Sequence, residues 1–236
     1  MNNIGFSPKQ LLLEMYETDE KRFREITRLD DKEKSKYREL LTHLKRVHEE
    51  DKEAKKKKIK SPYTTNDKGK ALEELVSFLL EKSSVFEVYQ NIRNSTNEVD
   101  QLLILNHKGK KFKEFLNLPG YIYLSECKNY NKKVSVTWVG KFFSLLISNK
   151  SRIGFLFSYH GFAGSSWNSA VGLVKKLFLT KEEINQRTYI IDINLKDFEK
   201  IEEGYSLLEI IDAKMKAIRL DTNFEKFLEL KHPAQE

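Results

Sequence analysis

The chain has 236 residues, 39% hydrophobic and 33% charged, enough apolar material for one sizeable α/β core plus an appended segment. Its single cysteine excludes a disulfide framework and a Cys-rich zinc site, and no run approaches the about 18 apolar residues of a membrane span, so a soluble, cytoplasmic protein is expected. Lys and Arg exceed Asp and Glu by 42 to 35, with +4 over residues 1–60, +7 over 61–180 and −4 over 181–236, which directs a polyanionic partner to the middle of the chain.

Residues 7–58 are polar but carry apolar residues at helical intervals, among them Leu12, Met15 and Tyr16, then Leu40, Leu41, Leu44 and Val47. Two or three helices are expected, ending in "KEAKKKKIK". The run Lys55 to Lys58 suits a phosphate grip and a solvated helix end equally well. "SPYTTND" breaks the pattern and divides an N-terminal helical segment, 1–60, from a second unit, 61–236. A helix marked by Leu72, Leu75, Val76 and Leu79 follows, with Asn66 or Asp67 as its N-cap. Strands are expected at "VFEVYQNI", "DQLLILN" and "YIYLSECK", the last two joined by the basic loop "HKGKKFKEFLNLPG". Then come a helix at "VTWVGKFFSLLISN", a strand at "IGFLFSY", a helix in "SSWNSAVGLVKKLF", a strand at "TYIIDI" and terminal helices. This order defines an α/β class with a mixed sheet flanked by helices.

The third strand carries the chemistry. Side chains alternate across a strand, so Ile122, Leu124, Glu126 and Lys128 share one face while Tyr121, Tyr123, Ser125 and Cys127 take the other. An inward row that ends in a carboxylate and an ammonium is costly unless the charges pair or bind a metal. If Asn106 faces Gly120 in an antiparallel hairpin, Asp100 falls directly opposite Glu126, with Cβ atoms about 4.5–5.5 Å apart. Two such carboxylates repel unless a proton or a cation intervenes. Oxygen-only coordination suits Mg²⁺ or Mn²⁺, with the Cys127 carbonyl as a third protein oxygen. Lys128 would then orient the attacking water and offset charge at phosphorus. Glu73, at the edge of its helix's apolar stripe, is placed to reach over the sheet end, whereas Glu74 is better placed for solvent.

Helix Glu73, then Asp100, then Glu126-Cys127-Lys128 resembles the PD-(D/E)xK phosphodiesterase superfamily, with its restriction endonuclease-like fold. "GKALEELVSFLLE", "SECKNYNKKVSVTWVGKFFSLL" and "SYHGFAGSSWNSAV" are similar to segments of Mrr-type restriction endonucleases, and the resemblance covers about residues 66–195. It implies metal ligation by Asp100 and Glu126, a catalytic Lys128 and an auxiliary Glu73. The chain departs from the pattern at Val99, where the superfamily's name has proline, and at Glu98, a competing acid on the face of Asp100. The activity implied is Mg²⁺-dependent DNA cleavage in restriction or antiviral defence. Junction resolution, repair, or a non-cleaving DNA-binding or interaction module on the same fold are the alternatives.

Lys110, Lys111, Lys113, Lys132, Lys133 and Lys141 are the candidate DNA-backbone contacts, with strong salt dependence as their signature. Cutting both strands takes two sites, so a homodimer through the N-terminal helices is expected, and a defence role implies a partner protein. Trp138, Phe142 and Phe143 read as core, His160 as a surface loop residue, Ser165, Ser166 and Asn168 as helix caps, and Cys127 as a strand residue rather than a nucleophile.

Overall fold

Two long helices precede the sheet, and each begins on a capping box. Asp30 accepts from the Glu33 N–H while Glu33 reaches back to the Asp30 N–H, starting α1 (Asp31–Lys56). Thr64 and Asp67 repeat the exchange at the head of α2 (Thr65–Lys82), so the cap is Thr64 rather than Asn66 or Asp67. Asp67 is instead the reciprocal partner, three residues in. The computed structural model describes residues 25–93, 98–111, 118–166 and 168–228, with Lys9, Arg22, Phe23 and Lys113 besides; Leu12, Met15 and Tyr16 lie outside this set.

Five strands, β1 (Phe86–Arg93), β2 (Glu98–Leu105), β3 (Ile122–Lys128), β4 (Ile153–Ser158) and β5 (Tyr189–Ile193), lie side by side in chain order. The first three pair antiparallel and the last three parallel. A short α3 (His107–Lys111) begins the β2–β3 connection. The longer helices α4 (Val136–Ser148) and α5 (Ala170–Leu179) carry the crossovers that parallel strands require. α6 (Leu195–Glu203), α7 (Leu207–Leu220) and α8 (Glu225–Leu228) complete the described chain. The architecture is therefore α/β, a mixed five-stranded sheet flanked by helices, as the element order implied. Among the described residues no helix is long and apolar enough to cross a membrane.

Both faces of the sheet are covered. Leu103, Tyr123, Phe155 and Ile191 pack with residues of α1, α2, α6 and α7, while Leu124, Leu156 and Ile190 pack under α4 and α5. Gly154 permits the second contact: a Cβ there would lie 2.4 Å from Phe142 Cε1. The crossovers bring the C-terminal ends of β3, β4 and β5 to one edge of the sheet, and antiparallel pairing adds the start of β2.

The described part of the segment expected at 1–60 shares this core. Tyr37, Leu41, Leu44 and Val47 are fully or almost fully buried, and the Tyr37 hydroxyl donates to the Phe198 carbonyl at 2.6 Å. One apolar stripe suffices for docking, and the charged remainder of α1 gives it the look of an appendage. Leu44→Ala is expected to cost about 2–5 kcal/mol in urea unfolding and to leave a single transition. A separate early transition for α1 would mark it as an independent unit.

Candidate active site

The hairpin register is Gln101 opposite Ser125, Leu102 opposite Leu124, Leu103 opposite Tyr123 and Ile104 opposite Ile122. This is the register that pairing Asn106 with Gly120 requires, and one step further along it sets Asp100 opposite Glu126. The side chains complete the arrangement. Lys128 Nζ forms an ion pair with Glu126 Oε1 and stands 3.9 Å from Asp100 Oδ2, while the Cys127 N–H donates to Asp100 Oδ2 at 3.2 Å. Glu126 and Lys128 are largely buried, their side chains 11% and 15% exposed, whereas Asp100 at 37% opens to solvent.

Burial raises the Glu126 carboxyl above its ordinary range and the neighbouring Asp100 adds to the rise, against the opposing pull of Lys128. Burial also works against the Lys128 ammonium, but Glu126 and Asp100 together outweigh it and hold the lysine above its usual value. The Cys127 thiol is pushed well up, first by burial and then by the charges of Asp100, Glu73 and Glu126. It stays protonated, which removes it as a nucleophile and leaves its backbone as the useful part.

Lys128 thus occupies the role of counter-charge to two carboxylates. Two carboxylates and an adjacent backbone carbonyl form an oxygen-only donor set, the chemistry that a hard divalent cation asks for. Among the described residues no three or more His, Cys, Asp or Glu side chains are grouped to hold a metal. Any cation here would draw its remaining ligands from backbone and water.

Glu73 is placed differently from Asp100 and Glu126. Its helix, α2, packs on the Tyr123 and Cys127 face of the sheet, opposite the face of Leu124 and Glu126. Glu73 is exposed, has no hydrogen bond or ion pair to another described residue, and bears on the site through its charge on Cys127. Glu98 pairs with Arg93 in the backbone register, and its side chain lies outside the described set.

The six candidate lysines divide between the two ends of the sheet. Exposed Lys132 and Lys133 follow β3 directly, and Lys141 Nζ stands 4.7 Å from the Trp138 ring centre, against which Lys128 Nζ also packs at 4.9 Å. Trp138 and Phe143 are half-buried and pack against the core cluster that holds the buried Phe142, as expected, and Trp138 also walls the site. Lys110 and Lys111 sit in the β2–β3 connection at the other end of the hairpin, about 20 Å along the strand from Asp100. Lys113 lies over the Tyr121 ring at 3.8 Å. These three are not brought to the carboxylates, because the hairpin turns away from them. The N-cap of α5 is Ser169, which accepts from the Gly172 N–H, rather than Ser165, Ser166 or Asn168. His160 is exposed, as expected of a surface loop residue.

One polar network gave no sequence signal. Asn129, next to Lys128, accepts from His48 Nε2 at 2.6 Å and donates to the Lys68 carbonyl. Lys68 in turn pairs with Asp51 at 2.5 Å, and Lys55 pairs with the same carboxylate at 2.7 Å. Burial works against the Asp51 charge, but these two lysines outweigh it and hold the carboxyl below its ordinary value. His48 is stacked on Tyr159 at 3.6 Å and buried; burial lowers its pKa to about 4, despite the bond to Asn129.

No family model, no curated protein and no solved structure matches the chain, so the site is read from its own chemistry.

A histidine whose folded pKa lies below its unfolded value lends stability that is present above about pH 6.5 and lost as pH falls toward the folded value. Melting temperatures of wild type should therefore decline between about pH 6.5 and 4 more than those of His48→Gln, which cannot charge. Parallel curves would show that His48 titrates normally.

Proposed function

We propose that the protein is a metal-dependent DNA endonuclease of restriction endonuclease-like fold, hydrolysing phosphodiester bonds in restriction or antiviral defence. The observation that carries this reading is the group Asp100, Glu126 and Lys128 at the edge where three parallel strands end, on a register fixed by buried neighbours. The defence role rests on the resemblance of residues 66–195 to Mrr-type enzymes.

Asp100, Glu126 and the Cys127 carbonyl would hold Mg²⁺, for which Mn²⁺ can substitute, and the ion supplies Lewis acidity at the phosphate when bound. Lys128, held cationic by its two carboxylate neighbours, orients the attacking water and offsets the negative charge that builds on the phosphoryl oxygens. Trp138 restricts the lysine from one side, so little orientational freedom remains to be lost during the reaction. Lys132, Lys133 and Lys141, at the same end, hold the DNA backbone. Glu73 acts from the opposite face by its charge alone. A second copy of the chain would supply the site for the other strand.

Supercoiled plasmid incubated with the protein should be nicked or linearised in Mg²⁺ or Mn²⁺ and left intact in EDTA. Lys128→Ala should reduce cutting by on the order of 10²-fold or more, as removal of a transition-state charge partner does elsewhere. Asp100→Asn should behave alike, and calorimetry should show weakened Mn²⁺ binding. Retention of DNA without cleavage in any metal would instead identify a non-cleaving DNA-binding module.

A further inference from the structure

The C-terminal half of α1 walls a cavity of about 610 Å³ together with the segments that follow β3 and β4. Its lining includes His48, Lys52, Lys56, Asn131, Tyr159 and His160. We propose that this cavity binds a backbone phosphate of the DNA strand beside the scissile one, which makes α1 part of the DNA-binding surface. The proposal rests on the nuclease reading for its substrate, but it is carried by different residues.

Continuity with the catalytic strand comes first. The cavity opens off the loop immediately after Lys128, where Asn129 is clamped between His48 and the Lys68 carbonyl. A strand whose scissile phosphate met Lys128 would pass this loop next.

Charge comes second. Lys52, Lys55 and Lys56 line the cavity with Glu49 and Asp51, and Asp51 is already claimed by Lys55 and by Lys68 of α2. Lys52 and Lys56 form no ion pair with another described residue, and both are exposed. The macrodipole accounts for lysines at the end of α1. It does not account for their convergence with other elements: Lys52 from α1 and Lys133 from the segment after β3 both act on His160, which follows β4. With Asp51 engaged, Glu49 is the one lining carboxylate left to offset the lysines from α1 and from the segment after β3, so the site is net positive and a phosphate oxygen would satisfy it.

Rigidity comes third. His48 lies flat on Tyr159 at 3.6 Å, and His160 stands edge-on to both rings at 5.4 and 4.9 Å. Because the amide oxygen of Asn129 can only accept, His48 Nε2 carries the proton, and the stack is locked to the residue after Lys128.

The test is fluorescence anisotropy of a short labelled duplex with the full chain in EDTA, over about 50 to 200 mM salt. Wild type is compared with Lys52→Ala/Lys56→Ala and with the control Lys32→Ala/Lys36→Ala at the other end of α1, where both lysines are exposed; thermal melts confirm folding. The first variant should bind about tenfold more weakly at intermediate salt and lose about one to two from the slope of log K against log salt, while the control matches wild type. Unchanged affinity and slope in Lys52→Ala/Lys56→Ala would overturn the proposal. Parallel plasmid cutting separates the two readings. A wild type that cuts beside a variant that still binds normally sinks the cavity and keeps the nuclease. A variant that loses binding beside a wild type that never cuts supports the cavity and sinks the nuclease.

Discussion

The register between β2 and β3 is the constraint on which the site depends. Side chains alternate with a period of two, so a slip of one residue would send Glu126 and Lys128 to the face of Cys127 and move Asp100 away from them. Leu124, completely buried under α4 and α5, and Tyr123, completely buried on the other face, would both be misplaced by that slip. The apolar rows therefore hold the polar row in place. Like charges at Asp100 and Glu126 would separate the strands at this edge if Lys128 did not stand between them.

Around that register lies a second layer that ties the strand end to the helices. Asn129 joins the end of β3 to α1 through His48 and to α2 through the Lys68 carbonyl, and Lys68 returns to α1 through Asp51. Within this network Asn129, His48, Lys68 and Asp51 each have a partner, which is the condition under which burial of such groups is tolerable. The consequence is mechanical: Lys128 is followed by a residue that cannot move without disturbing both helices. A charged helix that supplies no strand to the sheet is thereby coupled to its edge.

Much of this arrangement was legible in the residues. The alternation in "YIYLSECK" set Glu126 and Lys128 on one face, and counting back through the hairpin set Asp100 opposite, because antiparallel pairing conserves the sum of paired numbers. The order of elements gave the mixed sheet for the same local reason, since periodicity and turn residues act over short distances. Less legible were features that depend on which surfaces meet. Glu73 sits at the edge of its helix's apolar stripe, yet the stripe packs on the Cys127 face. Trp138 packs against the core as its spacing implies, but its second role as a wall of the site comes from the approach of Lys128 and Lys141 to its ring.

The sequence by itself determined the long helices, the strands of the mixed sheet and the pairing of Asp100 with Glu126, though not the short helix α3 within the stretch expected as a loop, because strand and helix periods act locally over longer runs. Only the tertiary structure decided that α1 shares the core, that Lys110, Lys111 and Lys113 lie at the far end of the hairpin, and that Asp51, Lys68, His48 and Asn129 form one network. The contacts of that network join residues 17 to 81 positions apart, and neither composition nor periodicity records which distant surfaces will close on one another.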